Sequence, residues 1–249
     1  RTIVDYLEEA RAQEDWQAYA EGVNYLSGLM EWNLNYGNFP YFFNAREGGE
    51  GSSSGTGLTM VDPQAWYYWH TGKQAYLDHL EDYMDGGING GSGPYGDFST
   101  WQGQYEGRFY LFVKGATRSD TTPPPAITDL GATWVNSTTV FLEWTAPSDA
   151  TRYHVVYSDK PIVEPNSLDP NVTNWWAAYA IGPSLTPTPG VTQTLVFTPA
   201  FAGPCYVAIF TFDEVDNMST ISNVPQTLPG DWESIHLPLV MRTESDMAE

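Results

Sequence analysis

The chain has 249 residues, with 31 Asp and Glu against 10 Lys and Arg, a net charge near -21 and a pI near 4.2. So anionic a surface repels phosphate backbones, which argues against nucleic acid as a partner, and no apolar run approaches the roughly 20 residues that a membrane span needs. Aromatic residues make up 15% of the chain, including 10 Trp and 16 Tyr, far more buriable surface than a disordered sequence carries.

In chain order, residues 1–118 read as helices separated by glycine-rich loops. Thr2 with Asp5 resembles a capping box, and Leu7, Trp16, Tyr19, Val23, Leu26 and Met30 put large apolar groups on one helical face as far as Trp32, with a break near Arg11 to Glu14. Asp62-Pro63 is an N-cap and first-turn pair for a helix through Trp66, Tyr67, Tyr68 and Trp69 that stops at Thr71-Gly72. The next helix, Lys73 to Asp85, carries Tyr76, Leu77, Leu80 and Met84 and ends at Gly86-Gly87. A last one, capped around Ser99 or Thr100, runs through Trp101, Tyr105, Phe109 and Phe112 to Gly115.

Three prolines, Pro123, Pro124 and Pro125, mark residues 119–125 as a semi-rigid linker. Beyond it the period changes to two: Val140, Leu142, Trp144; Tyr153, Val155, Tyr157; Leu195, Phe197; and Tyr206, Ala208, Phe210 alternate as half-buried strands do. About seven such strands predict a β-sandwich with Trp144, Tyr157 and Tyr206 in its core. Residues 126–228 resemble a fibronectin type III domain. The likeness is carried by the Pro-rich entry, Ile127 to Leu130, Leu142-Glu143-Trp144 with Ala146-Pro147 and Asp149, Tyr153 to Tyr157, Tyr206 to Ala208, then Asp213, Asp216, Asn217, Ser219 and Ser222-Asn223. The pattern departs from that family between Pro161 and Pro189, where Trp175 and Trp176 sit in a longer connection. Residues 229–249 form a tail containing Leu237-Pro238-Leu239-Val240. This run is similar to the endings of some large secreted bacterial proteins, the alternative being an apolar strand that packs back onto a domain.

The helical half resembles, in its Asp62-Pro63 opening and its Thr71-Gly72-Lys73 turn before Tyr76-Leu77-Asp78, the hairpins of α/α-toroid carbohydrate enzymes. A toroid needs about a dozen helices and this segment offers about four, so the resemblance implies the final part of such a domain. The fold class expected is therefore multidomain α plus β: an incomplete α/α-toroid type followed by a fibronectin type III sandwich.

Trp66, Trp69, Trp101 and Tyr41 are the candidate sugar-stacking residues, because aromatic faces match the C–H faces of pyranoses; the alternative is that Trp66 and Trp69 form the core face of their helix. Asp97 with Glu106, or Asp62 with Asp97, would serve as a glycosidase acid and base if the fold brings them within about 5 to 10 Å. His70 is a further catalytic candidate, though its place in the last turn of a helix accounts for it without catalysis. Asp82, Asp85, Asn89 and Asp97 crowd a glycine-rich stretch whose oxygens would suit Ca²⁺, the alternative being a solvated turn; no other cofactor is expected.

The single cysteine, Cys205, excludes an intrachain disulfide, and its apolar run suggests an inert thiol. Cysteine avoidance, acidity and Ser/Thr/Gly loops point to an extracellular or cell-surface location. The start at Arg1 reads as a mature product or a piece of something longer. Glycosylation-type triplets begin at Asn136, Asn171 and Asn217. Two readings follow. The first is the C-terminal part of a secreted carbohydrate-active or carbohydrate-binding protein whose partner is a neutral or cationic polysaccharide. The second is a structural subunit of a surface layer or filament that packs against other copies.

Overall fold

The computed structural model describes residues 2–36, 61–79, 120–164 and 166–230. Helix α1 (Thr2–Ala12) and helix α2 (Trp16–Tyr36) are separated at the predicted break. Asp15 N bonds back to Ala10 O while Glu14 takes a left-handed φ of 56°, a helix C-terminus of the kind glycine usually makes. Asp15 Oδ1 then accepts from Ala18 N at 3.1 Å and caps α2. Helix α3 (Val61–Thr71) starts one residue before Asp62 and ends where Gly72, at φ 68°, turns the chain into a helical run over 74–79, labelled α4. Leu7, Tyr19, Val23, Leu26 and Met30 meet Trp66, Tyr67 and Tyr76 in one apolar core. Among the described residues no helix is long and apolar enough to cross a membrane.

The second half is a sandwich. Strands β1 (Gly131–Asn136), β2 (Thr139–Thr145) and β7 (Thr192–Phe197) form one antiparallel sheet in the order β1-β2-β7. The facing sheet, in the order β6-β3-β8-β9, is built from β3 (Arg152–Ser158), β6 (Tyr179–Ile181), β8 (Cys205–Phe212) and β9 (Gln226–Thr227). This three-plus-four order is that of a fibronectin type III-like sandwich. Trp134, Leu142, Trp144, Val155, Tyr157, Val207 and Ile209 fill the space between the sheets, and Trp144 meets Tyr153 edge to face at 5.1 Å.

The phase of β8 differs from the expectation. The sandwich interior takes Cys205, Val207 and Ile209, so Ala208 and Phe210 point to the opposite face and Tyr206 is half-buried there instead of lying in the core. That opposite face is also covered. Val156, Ala208, Phe210 and Phe212 form a second apolar layer with Trp175 and Met218. An antiparallel sheet commonly leaves one face wet. Here β3 and β8 are buried on both sides, because α2 and the Pro161–Pro189 connection lie over them.

That connection is where the chain departs from the fibronectin type III pattern. It holds a short parallel pair, β4 (Ile162–Val163) with β5 (Thr173–Asn174), then a 3-10 turn at Trp175–Ala177 and β6. It is also the surface that receives the helices. A Cβ on Gly28 of α2 would lie 2.7 Å from the Trp176 ring, and one on Gly182 would lie 1.7 Å from the Trp16 carbonyl oxygen. Both glycines mark backbone contact that any side chain would prevent. Gln17 Nε2 donates to Ala180 O at 2.9 Å and its Oε1 accepts from Gly182 N at 3.1 Å. The linker lies against the sandwich too, since Asn217 Nδ2 donates to Asp120 O at 3.3 Å.

Candidate functional site

The helices dock on the sandwich through polar groups that are largely withdrawn from water. Asp216, in the loop after β8, is 4% exposed and holds a left-handed φ of 65°. Its carboxylate meets Arg11 Nη1 of α1 at 2.8 Å, His70 Nδ1 of α3 at 2.9 Å and Arg152 Nη2 at the start of β3 at 3.0 Å. A carboxylate only accepts, so Nδ1 of His70 carries the proton in that bond. Beyond His70, its Nε2 lies 3.4 Å from Glu8 Oε1, which also accepts from Trp66 Nε1 at 2.5 Å, and the Trp66 ring lies over the imidazole with centroids 4.1 Å apart.

Burial alone would raise the Asp216 pKa. The hydrogen bond from His70 and the charges of Arg152, His70 and Arg11 outweigh it and hold the carboxyl well below the usual range. The hydrogen bond with His70 likewise lowers Glu8, against its partial burial. Arg152 does a second job: its guanidinium lies 4.4 Å from the Phe212 ring centre and 4.8 Å from that of Tyr19, a cation–π bridge between sheet and helix.

Two further polar contacts cross the same seam. His154 of β3 places Nε2 2.7 Å from Asn24 Oδ1, and Asn24 Nδ2 donates to Ala178 O at 2.9 Å. Because the Asn24 amide nitrogen is already donating to a carbonyl, its oxygen is the acceptor and His154 donates. Burial, reinforced by the Arg152 charge, lowers the His154 pKa to about 3, so the imidazole is neutral at ordinary pH. On the far side, Lys73 Nζ lies 3.1 Å from Glu164 and 4.0 Å from Glu31, while Tyr76 and Asn166 both donate to Glu31.

Where α1 turns into α2 beside the sandwich, the seam opens into a cleft of about 340 Å³. Arg11, Glu14, Trp16, Arg152, Glu214 and Asp216 line it, together with Ser184 and Thr186. Its volume is at the lower end of the roughly 300–1,000 Å³ of small-molecule sites. Asp213 reaches the same cleft, and its carboxylate lies near those of Asp120 and Asp149, with one oxygen from each within 4.8 Å of the others. Those three carboxylates could meet one cation, but Asp213 already accepts from Val215 N, Asn217 N and Asn217 Nδ2.

The predicted site residues are dispersed by comparison. Trp66 is 1% exposed inside the helical core and offers no face to solvent, whereas Trp69 is half-buried. His70 is buried between two carboxylates as a docking group. Asp62 is nearly buried. Tyr41, Asp82, Asp85, Asn89, Asp97, Trp101 and Glu106 lie outside the described residues. The cleft went unseen because its walls come from 11–16, 151–152, 183–186 and 213–216, segments that only the tertiary fold brings together. A local signal did exist: Arg11 sits between Ala10 and Ala12, and Arg152 opens an apolar strand, in a chain with only 10 basic residues.

No family profile matches the sequence, and no curated protein is similar to it. Among solved structures, a Fn3-like protein from Clostridium thermocellum is 20% identical over 43% of this chain and 95% of that one, with a TM-score of 0.32. A myokine structure is 10% identical over 43% of this chain and 98% of that one, at 0.29. The spore cortex lytic enzyme SleM of Clostridium perfringens is 19% identical over 43% of this chain and 28% of that one, at 0.26. At these scores the likenesses add nothing to the strand order, on which the fibronectin type III-like assignment stands.

Proposed function

We propose that the protein is an extracellular carbohydrate-binding polypeptide, part of a carbohydrate-active system, and that it takes a neutral or cationic glycan in the seam cleft. The supporting observation is the cleft lining, which sets an aromatic residue, Trp16, beside the acidic Glu14 and Glu214, the basic Arg11 and Arg152, and Ser184 and Thr186. A sugar asks for this combination, with a flat apolar face to cover and several donors and acceptors around it. Glu14, Asp213, Glu214 and Asp216 outnumber Arg11 and Arg152, so a polyanion is repelled and a neutral or amino sugar is not. The α3 to α4 hairpin with its Gly72 turn supports the reading of the helices as the end of an α/α-toroid type domain, with the sandwich as its accessory.

Affinity electrophoresis in gels containing neutral glucans, mannans or chitosan tests the reading. Retention of the wild type is expected, weakened at least tenfold in the Glu14→Gln, Glu214→Gln double variant. No retention in any gel, or retention unchanged in the variant, refutes it. The assembly reading draws on Tyr25, 69% exposed on α2, and Tyr6, which rests over Gly22 one turn away. Sedimentation that shows oligomers dissociated by Tyr25→Ser would favour it.

A further inference from the structure

The three glycosylation-type triplets have very different surroundings. Asn217 is 1% exposed, and its amide donates to Asp213 Oδ2 and Asp120 O, so a sugar on its nitrogen would displace buried bonds. Asn171 is exposed, but its Nδ2 donates to Asp169 Oδ1 at 2.8 Å, and the hydroxyl of its partner Thr173 is bonded to Ser158 Oγ at 2.8 Å. Asn136 differs from both in leaving its amide nitrogen without a partner among the described residues. It is exposed at the turn between β1 and β2, Thr138 N donates to its Oδ1 at 2.9 Å, and the Thr138 hydroxyl donates to the same oxygen at 3.1 Å. Among the described residues only the oxygen of Asn136 is engaged, and the side chain is exposed.

We infer that Asn136 is an acceptor for an N-linked glycan when the chain is exported through a glycosylating route. The donor class is a lipid-pyrophosphate-linked oligosaccharide. Transfer forms a C–N bond from Asn136 Nδ2 to the first sugar's C1 and breaks the C1–O bond to pyrophosphate. Lipid pyrophosphate leaves with the bonding pair, and the amide proton passes to base. The two bonds from Thr138 to Oδ1 hold the side chain in one rotamer and leave Nδ2 unengaged. A glycan here is compatible with an open cleft. Asn136 pairs with Thr139 at the start of β2, and β2 carries the chain about 20 Å to Thr145, the end nearer Arg152 and Asp213.

The inference goes beyond the carbohydrate-binding reading and rests only on export, so its test does not read sugar binding. The full chain, given a cleavable leader, is secreted from cultured animal cells, and glycopeptide mapping with intact mass is taken before and after peptide-N-glycosidase. The expected result is a glycan on the Asn136 peptide, lost in Asn136→Gln and Thr138→Ala and kept in Thr138→Ser. Wild type without a glycan at Asn136, or an Asn136→Gln variant that keeps the whole glycan mass, overturns the inference. Mapping of the wild type decides the question even if a variant is not secreted.

Discussion

His154 makes the stability of the docked structure sensitive to mild acid, and the size of the effect follows from its surroundings. Its folded pKa, about 3, lies below the value of about 6.5 of an exposed histidine, so the unfolded chain takes up the proton first. The stabilisation is therefore complete above about pH 6.5 and falls as pH drops toward 3. At pH 4.5 about two units of that window have been crossed, and at about 1.4 kcal/mol per unit the loss is about 2–3 kcal/mol. His154→Gln keeps an N–H for Asn24 Oδ1 and cannot be protonated. Urea unfolding followed by tryptophan fluorescence at pH 7.0 and 4.5 should give a drop about 2–3 kcal/mol smaller in the variant than in the wild type. Glu8 and Asp216, whose lowered pKa values cost stability only in stronger acid, are common to both proteins and cancel. Equal drops, within about 0.5 kcal/mol, would refute the claim that His154 is held neutral in the seam.

Asp216→Asn leaves two guanidiniums and an imidazole around a neutral amide, and should cost about 3–5 kcal/mol by calorimetry at pH 7, as breaking one side of a buried ion pair does. The contribution of Asp216 is present above about pH 4 and is lost as pH falls through its lowered folded pKa, so the variant should resemble the wild type more closely in strong acid. Gly182→Ala drives a methyl into the Trp16 carbonyl and should destabilise by about 1–3 kcal/mol, whereas Gly131→Ala, whose Cβ would sit 3.7 Å from Glu143 O, should change stability by less than about 0.5 kcal/mol. Equal midpoints for the two glycine variants would contradict the close docking. Trp144→Ala should cost about 3–5 kcal/mol in urea, and a loss below 1 kcal/mol would place Trp144 outside a packed core.

The local elements were legible because the signals that set them are local. The break was expected near Arg11 to Glu14, where the structure adds the Asp15 cap, and the stop at Thr71 is announced by Gly72. The sandwich was legible from period-two runs and from residues that match a known pattern. The phase of β8 was not, because CYVAIFTF is apolar at nearly every position and period alone cannot choose a face. The continuous apolar run was itself the evidence that both faces are covered. The docking groups were illegible for another reason. Arg11, His70, Arg152 and Asp216 are far apart in sequence and each has an ordinary local explanation, as His70 has in the last turn of α3. Only burial separates a histidine that caps a helix from one that joins three elements.

The chemistry of the seam bears on why the cleft has a defined shape. An apolar interface of the same area would tolerate sliding, since burial is nearly indifferent to small shifts along the surface. Asp216 permits much less, because it is hydrogen-bonded from α1 and α3 and ion-paired with Arg152 of β3 at once, so contacts from three separate elements limit both position and rotation. The cleft walls are carried by those same elements: Arg11 and Glu14 from the end of α1, Arg152 from β3, and Asp213 to Asp216 from the loop. A displacement of the helices by one ångström would therefore break the contacts to Asp216 before it noticeably exposed apolar surface. The free energy spent on burying charge maintains the separation of the walls, which an apolar seam of equal stability would leave free to vary.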